Sequence, residues 1–199
     1  MLILAFDTAT DVATVALARD GDVLGERASR AVRVLQDVEE LLEAAGLEPS
    51  EVEGIAVGTG PGSYTGLRMG LVTARTLSFS LDVPVAGVST LDALSKGAPG
   101  AVPLIDGKRK EVFMLVAGEP RCLAAERLEV ARGATYVGDG ALRFRAQIEA
   151  GDGIVPPDDD GRHVPWARHH AALARDFGAA EAAEPIYLRV PDAEKALNG

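Results

Sequence analysis

The sequence has few of the residues that stabilise secreted proteins or anchor membrane proteins. It contains one cysteine, Cys122, in 199 residues, so no disulfide can form within the chain, and aromatic residues make up only 5 %. The longest apolar stretch after the first strand, residues 67–81, contains two arginines and is too short to cross a bilayer. The beginning shows no basic segment followed by a cleavage pattern, as a secretory signal would. We therefore expect a cytoplasmic protein that does not enter a membrane.

Positive charge is also scarce. Lysine and arginine number 20 against 30 aspartates and glutamates, which gives a net charge of -10. A surface this acidic repels a phosphate backbone, so tight binding of nucleic acid by the chain alone is disfavoured. The one local exception is Lys108, Arg109 and Lys110 in the segment DGKRKE. We interpret these cations as solvated charges in a turn between strands, with a local binding patch as the alternative.

The composition and apolar patterns indicate an α/β domain. Apolar residues make up 47 % and charged residues 25 %, and a chain of this length buries roughly 70 % of its unfolded surface. The run LILAF predicts a buried strand, and residues 12–29 predict two further strands joined at Asp20 and Gly21. Ser29 is predicted to cap a helix that ends at Gly46, and the strand over residues 52–58 precedes a second helix.

The second half of the chain repeats the beginning. An apolar strand ends in Asp106 as the first ends in Asp7, and a polar turn and another strand follow in both places. The segment KGAPGAVP over residues 96–103 is a candidate junction. We therefore predict two lobes, 1–98 and 99–199, with a C-terminal helix packing back on the first lobe. Because strand-turn-strand units are common, duplication and coincidence both remain open from this pattern.

The segment GTGPGSYTG forms a corner between strand and helix. It lacks the lysine of a Walker A loop, the third glycine of a dinucleotide fingerprint and the glycines of a nucleophile elbow. We interpret its central residues as a structural turn: Gly60, Pro61, Gly62 and Ser63. The following helix presents Gly66, Gly70 and Ala74 on one face. That face either admits a partner helix, which we favour, or packs against the protein's own sheet.

Groups that could perform catalysis are few. The three histidines, His163, His169 and His170, lack the spacing of a helical metal site, so no metal site is predicted and they are interpreted as exposed on helix surfaces. Cys122 has no neighbouring base. The pair Asp7 and Thr8 is either a phosphate-holding turn or a turn that satisfies its own backbone.

Five segments together resemble the TsaB (YeaZ) family: ILAFDTAT, AVGTGPGSYTGLRMG, VSTLDAL, LIDGKRKEVF and PIYLRVPDAEKA. The resemblance spans nearly the whole chain. It implies the actin-like, Hsp70-type ATPase (ASKHA) fold, with two related lobes that each start with a strand-turn-strand hairpin. It also implies a role in the threonylcarbamoylation of tRNA adenosine next to the anticodon, as a non-catalytic pseudoenzyme subunit that binds and stabilises the catalytic subunit TsaD.

The resemblance also implies partners and sites. TsaD and the ATPase TsaE are the expected partners, with a homodimer through the same helical face when the partner is absent, and tRNA is expected only through the complex. No cofactor is expected, apart from an adenine nucleotide that the partner interface could hold. The predicted partner-binding residues are Val32, Leu35, Val38, Gly66, Arg68, Gly70 and Ala74.

Two residues mark a weakened phosphate site. In ATP-using members of the fold a glycine follows the first Asp-x pair, whereas Ala9 stands there in this chain, and Lys108 occupies the second turn where a small residue would help. Asp7, Thr8 and Asp106 are therefore interpreted as vestigial phosphate-loop positions. The alternatives are an M22-type glycoprotease-like peptidase and, less favoured, a small-molecule kinase. A peptidase would need an activated nucleophile or a metal-bound water, for which the sequence offers no residues.

Overall fold

The computed structural model describes residues 1–189, so the end of the PIYLRVPDAEKA segment and the end of the predicted second lobe lie outside the described residues. The first half contains β1 (Leu2–Asp7), β2 (Ala13–Arg19), β3 (Asp22–Ser29), α1 (Val34–Ala45), β4 (Gly54–Gly60), α2 (Tyr64–Leu81), β5 (Val85–Ser89) and α3 (Thr90–Gly97). The second half contains β6 (Val102–Asp106), β7 (Glu111–Val116), β8 (Glu119–Ala124), β9 (Tyr136–Val137), α4 (Asp139–Arg143), α5 (Arg145–Ala150) and α6 (Ala167–Leu173).

The first sheet has five strands in the order β3-β2-β1-β4-β5. Strands β1, β2 and β3 form an antiparallel meander, whereas β1, β4 and β5 run parallel. The predicted turn at Asp20 and Gly21 is present, and both residues have positive φ, as a tight hairpin requires. In the register of the central strand, Phe6 lies between Val15 of β2 and Val57 of β4. This strand is therefore paired on both sides.

The two faces of the first sheet carry side chains of different size. Large residues such as Leu4 and Phe6 point to one face, where they form a core with α1 and α2. The other face carries alanines from four strands, and they pack against Ala167 and Ala171 of α6: Ala5, Ala16, Ala18, Ala56 and Ala86. Because alanine side chains are short, α6 lies close to the sheet. Both faces are covered, which explains why the strands are apolar without alternation.

The second sheet has four strands in the order β8-β7-β6-β9. Strand β6 pairs antiparallel with β7, with Asp106 opposite Val112, and parallel with β9. Its core includes Leu104, Tyr136 and Ile148. Each sheet therefore opens with a strand-turn-strand hairpin, β1–β2 and β6–β7, as expected from the repeat. The boundary between residues 98 and 99 stays a prediction.

The start of the first long helix differs from the expectation. Ser29 is the last residue of β3 rather than a helix cap, and a 3-10 turn over Ala31–Arg33 precedes α1. The Ser29 hydroxyl donates instead to the carboxylate of Asp37, which draws the side chain away from the helix amides. The predicted helix end is present, since Gly46 has φ of 66°. No helix within residues 1–189 has the length and apolar character needed to cross a membrane.

Candidate functional site

The corner between β4 and α2 lies against the turn that follows β1. Gly60 has φ of 88° and the Gly60–Pro61 peptide bond is cis. Ser63 caps α2, because its Oγ accepts a hydrogen bond from the Gly66 amide at 3.3 Å, and its own amide donates to the Ala9 carbonyl at 2.7 Å. A Cβ on Gly62 would lie 2.3 Å from that same carbonyl oxygen, so only glycine fits there. The corner thus connects two elements and also holds the first turn.

The small residues of α2 face the protein's own first turn. A Cβ added to Gly66 would lie 2.0 Å from the Thr8 carbonyl oxygen, and one added to Gly70 would lie 2.4 Å from Thr8 Oγ1. The Thr8 hydroxyl donates to the Gly66 carbonyl at 2.7 Å, and Ala74 is buried in the core. The expectation of an open face at Gly66, Gly70 and Ala74 is therefore wrong, because the turn after β1 already occupies it.

The carboxylate of Asp7 is enclosed by other parts of the chain. His170 Nε2 of α6 lies 2.7 Å from Asp7 Oδ2, and the two side chains are 0 % and 1 % exposed. The Thr90 hydroxyl donates to the same oxygen at 2.6 Å, and the Ala9 amide donates to Asp7 Oδ1 at 2.6 Å. The backbone of β4 also packs directly against this carboxylate, because a Cβ on Gly58 would lie 2.3 Å from its Cγ.

The ion pair controls the charge of Asp7. Burial is the strongest influence and opposes ionisation, but the charge and close contact of His170 and the hydrogen bonds from Thr90 and Ala9 together outweigh it. The pKa of Asp7 therefore lies below its ordinary value of 3.8. The contact with His170 is an ion pair rather than a well aligned hydrogen bond, since the imidazole Nε2 has no aligned hydrogen-bond acceptor within the described chain.

The histidines are not surface residues, contrary to the expectation. His163 is buried, and its Nδ1 accepts from the Gly138 amide at 3.1 Å while Nε2 lies 3.2 Å from the Pro156 carbonyl. His169 is half-buried, and burial together with nearby cations lowers its pKa to about 4. Local spacing could not reveal His170, because its partner Asp7 lies 163 positions earlier; the informative signal is the alanine-rich helix around it. Among residues 1–189, no group of three or more metal-binding side chains converges.

The second turn, after β6, is also occupied by the chain's own side chains. Asp106 Oδ1 accepts from the Lys108 amide at 2.8 Å, and Oδ2 lies 3.2 Å from Lys108 Nζ and 3.5 Å from Arg143 Nε. The Lys108 ammonium also reaches Asp11 of the first turn, at 3.4 Å. The Asp106 amide donates a hydrogen bond to the carboxylate of Asp139. Burial, together with the negative charge of Asp106, raises the pKa of Asp139 to about 6. Lys108 therefore links the two turns.

A cavity of about 540 Å³ opens beside these turns. The start of α2, the second turn and residues 186–189 line it. The rings of Tyr64 and Tyr187 lie 5.5 Å apart at its edge, and the guanidinium of Arg68 stacks 4.1 Å from the centre of the Tyr64 ring. Its size is within the range of small-molecule sites.

Exposed apolar side chains lie on the 3-10 turn before α1, on α1 and on α2. Val32 is 78 % exposed and Phe79 is 91 % exposed, and Leu35 and Val72 are also exposed. A groove of about 660 Å³ runs between the helices and is lined by Leu35 together with Leu77 and Leu81. We call Val32, Leu35, Val72 and Phe79 the helical patch.

Two of the predicted partner-binding residues, Val38 and Arg68, differ from the expectation. Val38 is buried, and Arg68 is exposed but also contacts another side chain. Val38 is buried in the core and does not belong to the surface, because it points from α1 towards the sheet. Arg68 is exposed and bonds to Tyr187, at 3.5 Å from its hydroxyl. Of the seven predicted residues, three therefore remain at the surface: Val32, Leu35 and Arg68.

This chain is similar to known proteins in both sequence and structure. A family model described as TsaD, tRNA N6-adenosine threonylcarbamoyltransferase, matches residues 9–142. The tRNA threonylcarbamoyladenosine biosynthesis protein TsaB of Bacillus subtilis is 36 % identical over 223 residues, which cover 98 % of this chain and 96 % of the relative. The structure of YeaZ from Pseudomonas aeruginosa is similar with a TM-score of 0.76 and 30 % identity, covering 94 % of this chain and 99 % of that one.

A more distant structure shows how widely the fold is shared. The activator of the 2-hydroxyisocaproyl-CoA dehydratase from Clostridium difficile, solved with bound ADPNP, has a TM-score of 0.52 at 14 % identity, with coverage of 100 % and 98 %. At this identity only the fold is comparable. The expected actin-like ATPase fold is confirmed.

Proposed function

Since the chain belongs to the TsaB family, which acts in the biosynthesis of threonylcarbamoyladenosine in tRNA, we propose that it is a non-catalytic subunit that binds the transferase TsaD and stabilises the modifying assembly. The helical patch carries this proposal. Four apolar side chains are exposed on the 3-10 turn before α1, on α1 and on α2, and such a surface is typical of a protein interface. The match of residues 9–142 to the TsaD model makes a related domain the natural partner.

The two turns support the non-catalytic part of the proposal. In a member of this fold that uses ATP, we expect the carboxylates after β1 and β6 to face phosphate and metal. In this chain His170 and Thr90 cover Asp7, while Lys108 and Arg143 surround Asp106. A ligand would have to displace these contacts, including a fully buried ion pair. The peptidase alternative has no comparable support, because the Ser63 hydroxyl is engaged as a helix cap.

The remaining partners follow from the same proposal. TsaE would join the assembly through the pair rather than through this chain alone, and tRNA would bind to the complex in the cytoplasm. Without TsaD, the helical patch would pair two copies of this chain. No cofactor is needed by the isolated subunit; an adenine nucleotide, if present at the interface, would be accommodated by the cavity of about 540 Å³ next to Tyr64.

The experiment measures the affinity of purified TsaD for variants of the patch. Phe79→Glu and Leu35→Glu place a charge in the interface, and Ile154→Glu is the control because Ile154 is an exposed apolar residue far from α1 and α2 in sequence. Loss of a central interface anchor costs about 2 kcal/mol or more, so the patch variants should bind about 30-fold more weakly. The control should bind as the unmodified chain does.

Each variant must also keep its melting temperature, which the exposure of Phe79 and Leu35 predicts. Equal binding by all three variants would exclude the helical patch as the interface. Absence of any complex between the unmodified chain and TsaD would overturn the proposed function itself.

A further inference from the structure

The turn between β6 and β7 holds three cations in a backbone conformation that side chains rarely adopt. Lys108, Arg109 and Lys110 have φ of 58°, 52° and 62°. The left-handed region is unfavourable for residues with a Cβ, so three in succession need support from their surroundings. All three residues are exposed. Strain of this kind at a surface is a reason to look for function.

Backbone hydrogen bonds fix the turn. The Gly107 amide donates to the Glu111 carbonyl at 2.9 Å, and the Glu111 amide donates to the Lys108 carbonyl at 2.9 Å. The Ala125 amide donates to the Lys110 carbonyl at 2.7 Å and connects the turn to the segment after β8. The turn is therefore a defined loop and presents its side chains in a fixed direction.

A recess of about 690 Å³ lies beside this turn. Arg109 and Lys110 line it from the turn, and Arg143 and Phe144 line it from the opposite side. The Arg143 guanidinium lies 5.9 Å from the centre of the Phe144 ring. Lys110 is exposed and forms no ion pair with any residue between 1 and 189, whereas Arg109 already has an interaction partner. The recess thus combines cations with an aromatic ring.

The charge in the recess is opposite to that of the whole chain. Arg109, Lys110 and Arg143 line it against Glu111 and Glu126. Glu111 is paired with Arg189, and Arg143 is paired with Asp106 at 3.5 Å. The whole chain, by contrast, carries a net charge of -10. Phosphodiesters are bound by lysine and arginine, and unpaired RNA bases stack on aromatic rings and guanidinium planes. Cations for phosphates beside a ring and a guanidinium plane for bases match RNA, and we therefore favour RNA over an acidic protein as the ligand.

We propose that the β6–β7 turn and the recess beside it bind the ribose-phosphate backbone of tRNA when the chain is part of the modifying assembly. This inference rests on the proposed function, because the acidic isolated chain would repel tRNA. In this arrangement Lys110 and Arg143 contact phosphates. Lys108 has a different role, since its ammonium links Asp106 to Asp11 and holds the base of the turn.

The test measures tRNA affinity of the assembled pair over a range of salt concentrations. Lys110→Asn removes one charge, and asparagine tolerates the left-handed backbone. Arg132→Asn is the matched control, because Arg132 is an exposed cation elsewhere on the second lobe. Loss of one phosphate contact should reduce the slope of log K against log salt by about 0.7 to 0.9, which corresponds to roughly five- to eightfold weaker binding at 0.1 M salt. The control should change neither quantity.

Assembly of each variant with TsaD is measured first by size-exclusion chromatography with light scattering. If Lys110→Asn assembles and binds tRNA with the affinity and salt slope of the control, the inference is overturned. It is also overturned if that variant keeps tRNA but loses an acidic protein subunit. If the unmodified chain does not assemble with TsaD, the proposed function fails. The inference is then tested by crosslinking tRNA to the isolated chain at low salt, with Lys110→Asn compared with the control Arg132→Asn.

Discussion

Replacement of His170 by alanine tests the link between α6 and the turn that follows β1. In the structure the imidazole lies 2.7 Å from a carboxylate that is 1 % exposed. Without it, Asp7 retains hydrogen bonds from Thr90 and Ala9 but loses its opposing charge. The variant must then bury an unpaired carboxylate, protonate it, or release α6 from the sheet, and each of these lowers the free energy of unfolding.

The expected loss is large because water cannot screen the pair. Removing one partner of a buried ion pair costs about 3 to 5 kcal/mol, whereas a domain is stable by only about 5 to 15 kcal/mol. For a chain of this size each kcal/mol lowers the melting temperature by about 2 to 4 °C. The variant should therefore melt roughly 6 to 20 °C below the unmodified protein.

The assay compares urea and thermal unfolding of His170→Ala, Asp7→Asn and the double variant. The double variant should be more stable than His170→Ala alone, since it buries no charge. His169→Ala is the neighbouring control, with an expected change within about 1 kcal/mol. Since the folded pKa of Asp7 is lowered, its ionic contribution is present above pH 3.8 and disappears as the pH falls through the folded value. A His170→Ala variant that melts within 2 °C of the unmodified protein would refute this account of α6.

Two further variants test the packing around the turns. Gly70→Leu should lower the melting temperature, because its Cβ would lie 2.4 Å from Thr8 Oγ1. The affinity of the folded fraction for TsaD should not change. Weaker TsaD binding at an unchanged melting temperature would contradict this packing. Asp139→Asn should gain stability relative to the unmodified protein as the pH rises from 4 to 7, because a carboxyl with its pKa raised to about 6 resists ionisation in the fold. The gain in the free energy of unfolding, measured in urea, should reach up to about 3 kcal/mol. A pH-independent difference would exclude a buried neutral acid at this position.

The sequence predicts the fold well where the signal is local or repeated. The run at β1, the Asp20–Gly21 turn and the recurrence of Asp7 at Asp106 indicate two hairpins, and both are present. The resemblance to the TsaB family is confirmed by a relative that matches 98 % of the chain. These features succeed because periodicity and turn chemistry act over a few residues.

The site was harder to predict because its contacts join distant parts of the chain. Small residues at four-residue spacing fit a partner helix and an internal turn equally well, and only the position of Thr8 decides between them. The role of His170 depends on a helix that crosses back over the first sheet. Whether Leu35 or Val38 is exposed depends on the rotation of α1, which an irregular start at Ala31–Arg33 changes.

The alanine face of the first sheet makes the first half of the chain depend on the second half for its packing. Residues 1–98 supply five strands, but one side of that sheet is covered by α6, which comes from residues 167–173. A fragment ending at residue 98 would expose a row of alanines to water and leave Asp7 without its counterion. The two halves that the sequence repeat delineates share a strand-turn-strand pattern, yet residues 1–98 do not cover both faces of their own sheet. During synthesis, the layer that covers this face is therefore completed only after residue 173 has been added.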